Sequence, residues 1–333
     1  MELGLMSLGD LLPDPATGIA VSEAERHRSL IDQAIQAERL GFAAIHLGEH
    51  HFSDYMLSAP PVVLAAIGER TSSLQLSTAV TLAGNLDPVR VAEDYATVDV
   101  LSGGRVEIVA GRGNLFTKTY AGFGQPLDTA RQRYDESILL LDKLLREQDV
   151  HWTGEYRAPL SGHTTRPRPM GPMPIWIGAG SKESAALAAE IGGWLMLPTV
   201  FGVPEMFRPL VDQYLQRWSE LGRPEQEAKV GACSHTFVGT DGVERWEPYY
   251  RSYWDFVGTL VSSDFWRPFD FDKLRAGPAI CGSPEEVTDR IGRWREALSL
   301  DRHLFMFDLG GVDAKSLSDT IELFGTEVIP NLD

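Results

Sequence analysis

A chain of 333 residues with 43% hydrophobic content is long enough to bury one large α/β core or two smaller ones. A formal charge of −17 repels phosphate backbones and anionic lipid, so neither nucleic acid nor a membrane surface is an expected partner. The two cysteines, Cys233 and Cys281, show neither metal-ligand spacing nor a disulfide framework, and no apolar run approaches the roughly 18 residues of a membrane span.

Met1-Glu2-Leu3-Gly4 puts no basic segment ahead of an apolar one, so no signal peptide is expected and the chain reads as a soluble, cytoplasmic protein. Leu3 to Leu8 is a first strand, followed by a Gly/Asp/Pro-rich loop from Gly9 to Gly18. Ser22-Glu23-Ala24-Glu25 is a capping box, and the helix it opens runs to Leu40 and stops at Gly41. Leu30, Ala34, Ala37 and Leu40 give that helix an apolar stripe. A second strand, 42–47, runs into Gly48-Glu49-His50-His51-Phe52. Pro60 to about Arg70 is a helix with Pro in its first turn, and Leu74 to Val80 is a third strand. Asp87-Pro88 starts the next helix, Asp as N-cap and Pro at N1, with Val91, Tyr95 and Val98 on one face. After Gly103-Gly104, Arg105 to Ala110 is a fourth strand, left by Gly111-Arg112-Gly113-Asn114.

A helix from Leu127-Asp128-Thr129-Ala130-Arg131 to about Arg146 precedes a stretch, 148–173, that breaks the rhythm and reads as an insertion with a small hairpin. Ile175-Trp176-Ile177 is a fifth strand, and Gly178-Ala179-Gly180-Ser181 turns into a helix through Glu190. Trp194 to Leu197, a helix from Pro204 to Leu221, and Lys229 to Val238 follow. Residues 239–276 form a second insertion dense in aromatics, among them Trp246, Tyr250, Tyr253, Trp254, Phe256, Phe265 and Trp266. It reads as core or subunit packing ahead of a substrate lid. Ser283-Pro284-Glu285-Glu286 caps a helix to Leu298, His303 to Phe307 is the eighth strand, and Asp313 to Phe324 the last helix.

Strands and helices in strict alternation imply parallel strands joined by right-handed crossovers. Eight such units predict an α/β fold, a (β/α)₈ TIM barrel forming one domain over 1–333, since about 250 residues plus two insertions account for the length. An open doubly wound sheet is the alternative, but no Gly-x-Gly-x-x-Gly turn follows the first strand.

In such a barrel chemistry sits at the carboxyl ends of the strands. Charged groups at the end of a buried strand are costly unless paired or used, which singles out Glu49, His50 and His51. Neighbouring residues leave a strand on opposite faces, so one histidine at most faces the mouth. Adjacent histidines with one carboxylate lack a third ligand at recognisable spacing, and no metal is expected. The two glycine-rich turns read as phosphate sites. Gly178 and Gly180 let backbone approach an anion, Ser181 would cap the following helix, and Ser184 adds a hydroxyl one turn on. Arg112, between two glycines, offers a planar donor fork. Arg131, in the first turn of its helix, opposes the helix dipole and would be steadied by an anion.

The stretches Leu47-Gly48-Glu49-His50-His51-Phe52, Asp87-Pro88-Val89-Arg90-Val91-Ala92-Glu93-Asp94, Asp99 to Arg105, Val109-Ala110-Gly111-Arg112-Gly113 and Pro174 to Ser181 together resemble the bacterial luciferase-like flavin-dependent monooxygenases, in their FMN-using branch. The resemblance implies a barrel that binds FMN at its carboxyl-end mouth. Reduced FMN comes from a separate NAD(P)H-dependent flavin reductase, and O₂ is used through a C4a-peroxyflavin to oxygenate a small organic substrate. It implies His50 as the base beside the isoalloxazine, with an imidazole pKa near working pH. It implies a cis peptide joining Ala79 and Val80 under the flavin, phosphate contacts from Arg112, Arg131, Ser181 and Ser184, with Ala179 and Gly180 in the same turn, and a homodimer through the second and third helices. Bacterial luciferase has a reactive cysteine where this chain has Gly111 and an acidic residue where it has Gly180, so light emission does not carry over. The F420-dependent hydride-transfer branch and a non-catalytic flavin-binding subunit are the alternatives. The Arg-bearing loop after the fourth strand favours FMN.

Overall fold

A computed structural model describes residues 1–113, 115–261 and 266–332; Asn114 and Phe265, named above, lie outside the described residues. In chain order the elements are β1 (Glu2–Ser7), α1 (Glu23–Arg39), β2 (Ala44–Leu47), α2 (Pro60–Gly68), β3 (Gln75–Thr78), α3 (Pro88–Ser102), β4 (Ile108–Ala110), α4 (Thr117–Gly122), α5 (Ala130–Arg146), β5 (Val150–Trp152) and β6 (Leu160–His163). The chain continues with β7 (Ile175–Gly178), α6 (Lys182–Glu190), β8 (Trp194–Leu197), α7 (Pro204–Glu220), β9 (Val230–Val238), α8 (Glu247–Leu260), α9 (Phe271–Ala276), β10 (Ile280–Gly282), α10 (Pro284–Leu298), β11 (Arg302–Met306) and α11 (Ala314–Glu327).

The parallel order is β3-β2-β1-β11-β9-β8-β7-β4. Bridges from Leu76 to Val106 and from Thr81 to Ala110 carry the sheet across from β3 to β4 and bring it round into the expected barrel. The open-sheet alternative is thereby excluded.

Local signals explain why the helices start where they do. The Ser22 and Ser283 boxes make both reciprocal bonds, and the Asp87 carboxylate accepts from the Val89 amide. Leu30, Ala34 and Ala37 of α1 are fully buried against the sheet. Two strands are shorter than the apolar runs suggest, for separate reasons. Residues 79–80 leave the sheet for the barrel mouth. Residues 105–107 stay bonded to Leu76 of β3 outside β4 proper, while the Arg105 side chain donates to the carbonyls of Gly68, Thr71 and Leu74 beyond the end of α2.

The alternation is not strict. The first insertion forms the expected antiparallel hairpin, β5–β6, and is tied down by the Glu136 carboxylate, which accepts from the amides of Glu155, Tyr156 and Arg157. Four elements went unread: α4, β10, and the two helices of the second insertion, α8 and α9. Helix α4 has no side-chain cap, and β10 is three residues long, too short to show a period. Strand β10 pairs with the far end of β9. The second insertion packs as core: Trp246, Tyr250, Tyr253, Trp254 and Phe271 join one apolar cluster with the barrel-interior residues Met6, Val109, Trp176, Met196 and Met306. Among the described residues no helix is long and apolar enough to cross a membrane.

At the amino end the barrel is closed by charge. Arg302, 1% exposed, pairs with Glu107 and with Glu2 at 2.5 Å, and its guanidinium lies 4.9 Å from the Trp176 ring centroid. Trp176 Nε1 in turn donates to Glu107 at 3.0 Å. Glu107→Ala removes the buried partner of Arg302 and leaves it the half-exposed Glu2, so it is expected to lower stability by up to about 3 kcal/mol in urea denaturation.

Four of the eight histidines, His46, His50, His235 and His303, are buried, and burial pushes each down to about 3. The unfolded chain takes up protons below about pH 6.5 that the folded chain refuses, so this stability is present above that pH and lost below it. Asp10, Asp142 and Asp301, raised by burial, work the other way, but the histidines outnumber them. Each histidine contributes a slope of up to about 1.4 kcal/mol per pH unit. The melting temperature should therefore fall from pH 6.5 to pH 5, and a flat profile across that interval would contradict neutral burial.

Candidate active site

Beyond β2 the chain turns so that the two histidines part. His50 donates its backbone N–H to the Leu57 carbonyl at 2.9 Å, and its ring stacks on Tyr55, centroids 4.1 Å apart and 22° between planes. The edge of Phe116 closes the other side at 4.8 Å. Among the described residues the ring nitrogens of His50 take no hydrogen bond. His51 goes the opposite way, packing on Phe123 and pairing through Nε2 with Glu49 at 2.9 Å. The other Glu49 oxygen accepts from the Leu82 amide at 3.0 Å.

His50 departs from expectation in its charge. Burial, and secondly the neighbouring His51, hold it near 3, not near working pH. Packing of Tyr55 and Phe116 on the ring takes solvation from a proton there, which favours the neutral imidazole.

The Ala79–Val80 peptide is cis, at the bond the resemblance pointed to. Both residues are half-buried at the mouth. Three side-chain-free positions surround them. A Cβ on Gly111 would overlap Val80, one on Gly178 would lie 3.2 Å from it, and one on Gly48 would lie 3.3 Å from the Ala79 carbonyl. There is accordingly no room at position 111 for the cysteine of bacterial luciferase.

The expected anion contacts come from the ends of β4 and β7 and from the start of α5. Ser181 caps α6, its Oγ accepting from the Ser184 amide at 3.3 Å. Arg131 reaches across to the Ser184 hydroxyl at 3.4 Å. Its Nε is already forked onto Asp135 at 2.9 and 2.7 Å, so the helix supplies its own counter-charge. Arg112 has no carboxylate partner among the described residues. Its backbone carbonyl accepts from the Tyr120 hydroxyl, which holds the loop while leaving the guanidinium uncommitted. Gly180 is exposed and a Cβ there would meet nothing within 4 Å. Ala179 is fully buried and its N–H is given to the Met196 carbonyl at 2.9 Å, so its backbone amide is used within the sheet.

Sequence reasoning missed a second polar group at the same end. Asp10 after β1 and Asp308 after β11 share Arg26, at 3.6 and 2.5 Å, and the Ser7 hydroxyl donates to Asp308 at 2.5 Å. Both carboxylates stand at strand carboxyl ends, so the rule that selected His50 would also have selected them. The Tyr55 and Tyr253 hydroxyls, 3.1 Å apart, and His235 on β9 complete the neighbourhood. Nothing in the sequence links residues 55 and 253. Among the described residues no cluster of His, Cys, Asp and Glu could hold a metal. Burial raises both thiols, Cys233 and Cys281, to about 11, which makes them inert.

The profile of the luciferase-like monooxygenases matches residues 1–301. The oxygenase component of a flavin-dependent trigonelline monooxygenase from Acinetobacter baylyi is 23% identical over 93% of this chain and 92% of its own length. An F420-dependent glucose-6-phosphate dehydrogenase from Microbacterium testaceum is 26% identical over 94% of this chain and 96% of its own length. The crystal structure of the monooxygenase RslO1 from Streptomyces bottropensis superposes with a TM-score of 0.89 over the whole of both chains at 24% identity, a likeness of fold. With the barrel, the Glu-His-His strand end and a profile match over nine-tenths of its length, this chain belongs to the luciferase-like monooxygenase family.

Proposed function

We propose that the chain is the oxygenase component of a two-component, FMN-dependent monooxygenase acting on a small organic substrate with O₂, with reduced FMN delivered by an NAD(P)H-dependent flavin reductase. The observation that carries this reading is the cluster after β4 and β7. It combines an uncommitted Arg112, the Ser181 and Ser184 hydroxyls, Arg131 and the open backbone at Gly180, in a chain of formal charge −17. Such a concentration of donors and glycine suits a phosphate monoester. The residues present therefore fit FMN. Arg112, Arg131, Ser181 and Ser184 would hold its phosphate, and Ala79–Val80 would back its ring. Reduced FMN, when bound, supplies the activation of O₂.

The chain's own part is to place, exclude and move protons. The Tyr55 and Phe116 rings keep water off His50, as oxygen chemistry requires if it is not to be wasted. A neutral imidazole presents one N–H and one lone pair. His50 can thus take a proton at one ring nitrogen and release the other, without carrying a charge at rest. Glu49 and His51 position it from behind: their pairing fixes the loop that His50 leaves.

The protein is read as a cytoplasmic homodimer through α2 and α3. Val62 is 70% exposed and Leu101 52%, and a cavity of about 490 Å³ beside the two helices is lined by Pro60, Val62, Leu86 and Val98 together with the charged Arg90 and Asp94. Apolar side chains this open on neighbouring helices suit an isologous contact.

In a coupled assay with a generic flavin reductase, His50→Ala should lower product formation by about 100-fold or more while FMN affinity changes far less. Full coupled turnover in that variant removes His50 from the reaction. Arg112→Leu should abolish the preference for FMN over riboflavin in a flavin titration; a wild-type chain that binds F420 and not FMN overturns the cofactor. Val62→Asp should convert the dimer to monomer in sedimentation.

A further inference from the structure

We infer that His235 is a specificity residue, whose Nε2–H donates a hydrogen bond to a carbonyl oxygen on a flat, neutral, aromatic substrate. This rests on the reading that the barrel mouth is the reaction site, and it deepens that reading by naming a substrate class.

His235 lies on β9 between Cys233 and Phe237, both members of the barrel-interior cluster, so alternation turns its side chain the same way. Its Nδ1 is 2.7 Å from the Tyr250 hydroxyl, while its Nε2 is buried with no partner among the described residues. The tautomer follows from counting donors. If Tyr250 donates to Nδ1, one group is left over, an Nε2–H. If Nδ1–H donates to Tyr250, two are left over, the phenol O–H and a bare Nε2. The first is cheaper, since each buried unmet polar group carries its own desolvation cost. His235 therefore presents a donor that the chain does not use.

What surrounds it is aromatic. Phe201, Tyr250 and Tyr253 stand edge-on to the imidazole at 5.9, 5.2 and 5.4 Å. Phe201 also meets Trp254 and Trp266 at 5.9 and 5.8 Å and is itself 43% exposed, so this wall runs from the buried imidazole to the surface. The Tyr253 hydroxyl accepts from Tyr55 at 3.1 Å, and Tyr55 stacks on His50. The two imidazoles thus stand at opposite ends of one tyrosine pair, His50 where the oxygen chemistry is placed and His235 with a free donor. Walls of ring edges and faces pack a planar aromatic better than a flexible chain. The charges felt by both tyrosines, from Asp10 and Asp308, are negative, and Arg26 is already committed to that pair. An anionic carboxylate or phosphate substrate is disfavoured there; a neutral ketone or quinone oxygen is not.

The test compares 1-tetralone, which has the carbonyl, with tetralin, which lacks it, and with decanal, by calorimetry on the purified protein with and without FMN. Tetralone should bind about tenfold more tightly than tetralin, the worth of one buried hydrogen bond. His235→Leu should erase that difference, and His235→Gln, which restores an amide donor, should recover it, with FMN affinity unchanged in both. Equal binding of tetralone and tetralin by the wild type overturns the inference, as does a preference that survives in His235→Leu or tighter binding of decanal than of either. Should His235→Leu not fold, ¹⁵N spectra of the wild type decide: the Nε2–H resonance must move with tetralone and stay with tetralin. FMN titration of the wild type is read separately, so a failed cofactor and a failed substrate class give different results.

Discussion

Val80 occupies space that Gly111 and Gly178 leave empty, and Gly48 lies against the Ala79 carbonyl beside it. Gly48 follows β2, Gly111 follows β4 and Gly178 ends β7, and each faces the Ala79–Val80 peptide or its side chains at or within contact distance. Any larger residue at 111 would push Val80 out, and the mouth would lose its level floor. The bridge between Thr81 and Ala110, which carries the sheet from β3 to β4, runs beside the same contact. Barrel closure and the shape of the candidate site are therefore one constraint, met by leaving out side chains.

Around that floor the polar groups divide by function. Those at the amino end, Arg302 with Glu107 and Glu2, are paired with each other and seal the barrel. Those at the carboxyl end are left partly open: Arg112 without a carboxylate among the described residues, His50 without a ring hydrogen bond among them, His235 with an unpartnered Nε2–H. An unpaired buried group is costly, and one that faces a site can be completed by a ligand. The same burial that leaves His50 unpaired also holds it neutral. Stacking against Tyr55 thus selects a proton-passing imidazole over a fixed cation.

The second insertion shows how one composition can serve two ends. Its aromatics fill the barrel interior with Met6, Trp176 and Met196, as packing. The rings at its edge, Phe256 against Tyr55 and Trp254 against Phe201, line the mouth. A run of tyrosines and tryptophans in sequence carries no mark of which ring will do which.

The eight parallel strands, the capped helices and the first hairpin were legible because each is a local signal: a capping box, a Pro at N1, a Gly-rich turn, an apolar run of the right length. His50, Arg112, Ser181 and Ser184 were legible for the same reason, as residues at strand ends and helix starts. What the tertiary structure alone decided were relations between distant parts of the chain. The Tyr55–Tyr253 bond spans 198 residues and the Ser7–Asp308 bond 301, and no periodicity reports either. The charge state of His50 belongs there too, because desolvation is set by what packs on a ring and not by its neighbours in sequence. So does the free donor of His235: whether a buried nitrogen is satisfied depends on every atom around it, and only the folded chain brings those atoms together.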